Sequence, residues 1–83
     1  MKQYICEIIR TSYINKSHGY DNSKEHRDFL YVNPNTFIGF YAKRYHTIYC
    51  DKHFLDDEKG QMLVKKVFEP MASLKDRKGI IFV

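Results

Sequence analysis

The amino-acid sequence predicts an α+β domain: a small antiparallel sheet of four to five strands with one helix, about residues 57–69, packed on a face. Three observations carry that expectation. β-Branched and aromatic residues fill two long stretches, residues 3–14 and 36–55. Clusters of Asn, Ser, Gly, Asp and Pro separate the extended runs. Helical spacing of apolar residues occurs once, where Leu63, Val64, Val67 and Phe68 fall on one side and Lys65 and Lys66 on the other.

Residues 3–14 read as a long first strand. Ile5, Glu7, Ile9, Thr11 and Tyr13 share one face, and Tyr4, Cys6, Ile8, Arg10 and Ser12 the other. Neither face is cleanly apolar, so a bulge is expected midway. Residues 15–25 are dense in turn formers and predict an exposed loop. Residues 26–32 return to strand composition, and Asn33-Pro34-Asn35-Thr36 predicts a tight turn, because Pro34 is pre-set for its second position. The most economical pairing is a hairpin of 28–32 with 37–42.

The stretch 36–55 places Phe37, Tyr41, Tyr45 and Tyr49 four residues apart. Its Phe, Ile, Tyr and Thr content favours strand over helix. Strands usually run to about five or six residues, so it is divided near Ala42-Lys43-Arg44. Asp56, Asp57 and Glu58 form the acidic start of the helix, where carboxylates face the positive end of its dipole. Gly60 weakens that helix and Pro70 ends or kinks it. Residues 75–79 predict a charged turn, and 80–83 a short buried strand.

Eighty-three residues predict a single domain, 1–83. A hydrophobic fraction of 43% with 16% aromatic residues excludes the disordered class, which lacks the apolar surface needed to offset ordering entropy. The formal charge is +4 and unevenly placed: residues 1–58 balance eight cations with eight carboxylates, whereas 59–83 carry six against two. That balance favours an acidic partner. Two cysteines, Cys6 and Cys50, are too few for a disulfide-stapled secreted domain, and no signal-peptide pattern opens the sequence. No apolar run approaches the ~20 residues of a membrane span. A cytoplasmic protein without membrane attachment is expected.

His46, Cys50 and His53 stand four and three residues apart, a spacing that on a helix would offer zinc a shared face, completed by His26 or Asp51. On a strand His53 points away from the other two, so no metal site is predicted. Cys50 beside Asp51 has the residue types of a thiol nucleophile, and His18 and His26 with Asp21 and Asp28 those of an acid–base pair. The same residues are what a buried cysteine and a solvated loop contain, and no motif with a catalytic mechanism joins them. The glycines are isolated, so no phosphate-cradling loop is present. Neither enzymatic activity nor a cofactor is predicted.

The remaining signal is aromatic and basic. Tyr41, Tyr45 and Tyr49, with Lys43 and Arg44 among them and Lys75, Arg77 and Lys78 further on, are the predicted binding residues. The expectation is a small non-enzymatic binding module that occupies a surface of a protein or nucleoprotein partner, of a kind that suits an inhibitor carried by a phage or mobile element. The alternative is direct, weakly specific nucleic-acid binding by a tyrosine and lysine sheet face. A metal- or thiol-dependent enzyme ranks third. Uncovered sheet edges also offer edge-to-edge dimerisation.

Overall fold

The computed structural model describes residues 3–11, 20–24, 27–37 and 43–83. Its organising strand is β1 (Ile5–Arg10), bonded on both sides by partners far away in sequence. β3 (Arg27–Val32) runs parallel to it on one side and β4 (Thr47–Cys50) parallel on the other. β5 (Gly79–Phe82) lies parallel to β4 at one edge, and β2 (Tyr20–Lys24) antiparallel to β3 at the other. The order is β2-β3-β1-β4-β5.

Four of the strands are therefore parallel, and the class is α/β rather than the antiparallel α+β sheet expected. The expected hairpin of 28–32 with 37–42 is excluded from the sheet, because β1 and β2 occupy both edges of β3; residues 38–42 lie outside the described residues. Part of the predicted loop 15–25 is strand β2. The mixed faces of β1 reflect a central strand rather than a bulge: its pairing with β3 runs without a shift from Ile5 to Arg10. The register irregularity lies between β2 and β3 instead, at Asp21 and Lys24.

A central parallel strand needs cover on its faces. On one face Cys6, Ile8, Leu30, Val32, Ile48 and Cys50 are buried against Phe54, Val64, Val67, Phe68 and Met71. Phe54 and Phe68 meet edge to face with centroids 5.2 Å apart, the arrangement that aromatic quadrupoles favour. On the other face Ile5, Ile9, Phe29, Tyr31 and Tyr49 are half-buried. There Arg27 pairs with Glu7 and lies 5.6 Å from the Tyr49 ring centroid.

The covering helix is one continuous element, α1 (58–71), built from an α-helical segment Glu58–Leu63, a π turn Val64–Phe68 and a last turn Glu69–Met71. Asp57 caps it by accepting from the Gly60 amide at 2.9 Å. The helix runs two residues past the expected 69, through Pro70 to Met71. Upstream the backbone has already widened, with the Glu69 amide bonded five residues back to Val64. That slack accommodates a ring which would otherwise crowd the carbonyl four residues before it. Among the described residues no helix is long and apolar enough to cross a membrane.

Gly60 has a packing reason. A Cβ there would lie 2.8 Å from the carbonyl carbon of Phe54, and closer still to its oxygen. That carbonyl belongs to the backbone of the 3₁₀ turn Lys52–Leu55, which cannot rotate aside as a flexible side chain can. Gly60→Ala therefore loses stability despite its gain in helix propensity, by about 1–3 kcal/mol as for other overpacked sites. Urea unfolding of the two proteins checks the sign.

Candidate functional site

At the amino ends of the parallel strands, residues 43–46 form a strap across the sheet. The Tyr45 amide donates to the Met71 carbonyl at 2.7 Å, and the Leu74 amide donates back to the Tyr45 carbonyl at 3.4 Å. The Lys78 and Gly79 amides both donate to the His46 carbonyl, at 2.9 and 3.2 Å. On the other side the His46 amide donates to the Tyr4 carbonyl at 2.9 Å, while His46 Nδ1 accepts from the Tyr4 amide at 3.0 Å. The two rings stack with centroids 5.9 Å apart.

Tyr45 anchors the strap. Its ring is fully buried and its hydroxyl donates to Asp28 Oδ2 at 2.6 Å. Asp28, only 4% exposed, also receives Lys43 Nζ at 2.6 Å on the same oxygen. The Lys43 ammonium lies 5.7 Å from the Tyr45 ring centroid. One buried carboxylate thus holds both an aromatic and a cation of the strap.

The strap's backbone bonds bring the predicted basic residues to one end of the molecule. Arg44 is exposed on the strap, and Lys75, Arg77 and Lys78 are exposed on the segment bonded to it. Asp76, with a φ of 62°, turns the chain between Lys75 and Arg77 and is the one carboxylate within residues 72–78. Lys43 is balanced by Asp28.

The predicted tyrosine face is not assembled. Tyr45 points into the core, Tyr49 lies on the opposite face of the sheet under Arg27, and Tyr41 falls outside the described residues. The strict alternation assumed for these positions breaks at His46, where the chain bends before β4 begins. His46 and His53 lie at opposite ends of β4 with Cys50 buried between them. Among the described residues no three His, Cys, Asp or Glu side chains converge as metal ligands. Cys6 and Cys50 are free thiols, each pushed up to about 12 by burial. At neutral pH both are protonated, which makes them poor nucleophiles.

The opposite end holds a cluster that sequence reasoning missed. In open parallel sheets, ligands bind at the carboxyl ends of the strands where the winding reverses, which here is between β1 and β4. Arg10 spans that position: Nη1 donates to the His53 carbonyl at 2.8 Å and Nη2 to Asp57 Oδ2 at 2.6 Å. Asp51 accepts from the Arg10 and His53 amides at 3.4 and 3.0 Å, and His53 Nδ1 lies 3.0 Å from Asp56. The Arg10 guanidinium hydrogen bond holds the Asp57 carboxyl below its ordinary range, with help from the Gly60 amide. These donors and acceptors serve one another, which makes the arrangement a clasp joining β1 to the helix cap. Arg10 and Asp57 are too far apart in sequence for any local spacing to have announced the pair.

No protein family, curated protein or solved structure matches the chain.

Two variants read the two ends. Tyr45→Phe leaves the buried Asp28 carboxylate with one donor fewer and costs about 1–3 kcal/mol of stability in urea unfolding. Asp57 has a folded-state pKa below its unfolded value, so its contribution is present above the ordinary carboxylate pKa of about 4 and is lost as pH falls through the folded value. The native chain should therefore be more stable than Asp57→Asn at neutral pH, and the gap should close on acidification. Thermal midpoints of both proteins across that range check the direction.

Proposed function

We propose that this chain is a small non-enzymatic binding module that occupies an acidic surface of a macromolecular partner, a protein or nucleoprotein. The observation that carries the reading is the gathering of Arg44, Lys75, Arg77 and Lys78 at the amino end of the sheet by the backbone bonds of the strap. Exposed cations on segments held by main-chain bonds lose less freedom on binding than the same cations on a free tail. They also steer encounter with an oppositely charged surface.

The internal pairing of the Arg10 clasp supports a non-enzymatic role, as do the two protonated thiols. Two buried, free cysteines fit the cytoplasm, where thiols stay reduced. Burial of Tyr45 removes one of the stacking groups of the nucleic-acid alternative, and so favours an acidic protein surface over bare nucleic acid.

The test is capture of cellular proteins by the full chain, beside a version carrying Arg44→Glu, Lys75→Glu, Arg77→Glu and Lys78→Glu. Native chain should retain a partner that high salt releases and that the reversed chain fails to hold, with both proteins equally folded by circular dichroism. Retention by the reversed chain, or turnover of a substrate by the purified native chain, would sink the reading. Salt-sensitive binding to nucleic acid alone would move it to the alternative.

A further inference from the structure

The sheet has two edges, and they differ in kind. β2 has the sequence Tyr-Asp-Asn-Ser-Lys and pairs irregularly with β3, both features that discourage further strand addition. β5 has the sequence Gly-Ile-Ile-Phe, with no charge and no proline. Its exposed side chains continue apolar to Val83: Ile81 is 37% exposed, Phe82 40% and Val83 63%.

The pairing to β4 fixes which backbone groups of β5 are free. The Gly79 amide donates to the His46 carbonyl, the Val83 amide to the Cys50 carbonyl, and the Lys52 amide to the Val83 carbonyl. With the parallel register continuous from Gly79 to Phe82, the odd-numbered residues turn their N–H and C=O toward β4. Ile80 and Phe82 therefore turn theirs outward, and among the described residues no strand meets them. Beside them on the helix side lies a groove of about 290 Å³ lined by Glu69, Ala72, Gly79, Ile80 and Phe82.

We infer that β5 is a self-association edge, joined in solution to β5 of a second copy in antiparallel fashion about a two-fold axis at Ile81. Two outward residues separated by one inward residue are self-complementary in that arrangement. Ile80 of each copy exchanges both main-chain bonds with Phe82 of the other, while the two Ile81 side chains meet as the close non-hydrogen-bonded pair. On the helix side each Phe82 comes to lie beside the other copy's Ile80, so the two grooves join. Charge selects the direction: Arg77 and Lys78 immediately precede β5, so parallel addition would set like charges side by side, whereas antiparallel addition places them at opposite ends of the joint. The product is a continuous sheet bounded on both sides by the polar β2 edge.

The test combines sedimentation equilibrium with amide hydrogen exchange on the full chain over a range of concentrations. The expected mass at high concentration is twice the 10.0 kDa of the chain. Exchange at the Ile80 and Phe82 amides should slow as concentration rises, while that at Ile81, bonded within the protomer, should not change. Ile81→Lys sets two ammonium groups opposite one another and should return the mass to that of a monomer without loss of helix signal. A monomer at all concentrations overturns the inference, as does a dimer that leaves Ile80 and Phe82 exchange unchanged. A monomer whose β5 edge instead takes up a strand from another protein overturns it too. Should Ile81→Lys fail to fold, the exchange measurement on the native chain decides alone.

Discussion

A carboxylate buried as deeply as that of Asp28 must find donors or give up its charge, and this chain supplies two of them from one short segment. Tyr45 brings a hydroxyl and Lys43 an ammonium to the same oxygen. Because Asp28 stands in β3, opposite Cys6 of β1, this contact fixes residues 43–46 against strands that are distant in sequence. The strap then sets the start of β4, gives its carbonyls to the segment that leads into β5, and stacks His46 on Tyr4. Much of the order at the amino end of the sheet follows from satisfying one buried charge.

The two ends of the sheet have opposite electrostatic character. Beyond the strap, Arg44, Lys75, Arg77 and Lys78 are exposed to solvent. At the carboxyl end Asp51, Asp56, Asp57 and Glu58 accumulate where β4 passes into the helix, and Arg10 is drawn across to them. Those carboxylates are largely committed to capping amides and closing the clasp. A parallel sheet produces such segregation readily, since every parallel strand presents the same terminus to the same side.

What the sequence disclosed divides along the line between local and distant interactions. Strand composition over 27–32, the turn after Asn33 and the helical stripe of Val64, Val67 and Phe68 were legible, because each is set by neighbours within a few residues. Parallel pairing was not. A hairpin is the cheapest closure on paper, and nothing local in 28–32 reveals that β1 and β2 already hold both of its edges. The poor alternation of β1 was the available sign of a central strand, and a bulge explained the same pattern. For the site, the basic residue types were readable while their assembly was not, since it depends on backbone bonds between 43–46 and 71–79. Tyr45 was misdirected because its orientation answers to Asp28, which no periodicity in 36–55 contains.

The parallel arrangement also governs how the chain reaches its fold. Tyr4 and His46, which meet at the mouth of the β1–β4 ladder, are 42 residues apart, and neither neighbour of β1 is reached by a tight turn. The first-made strand therefore waits for later ones, and loop entropy is lost before ladder bonds compensate. Folding on the millisecond-to-second scale of non-local topologies, roughly, follows from that wiring rather than from stability. During the wait the apolar edges of β1 stay open, so dilute refolding favours the native sheet over chance pairing between chains.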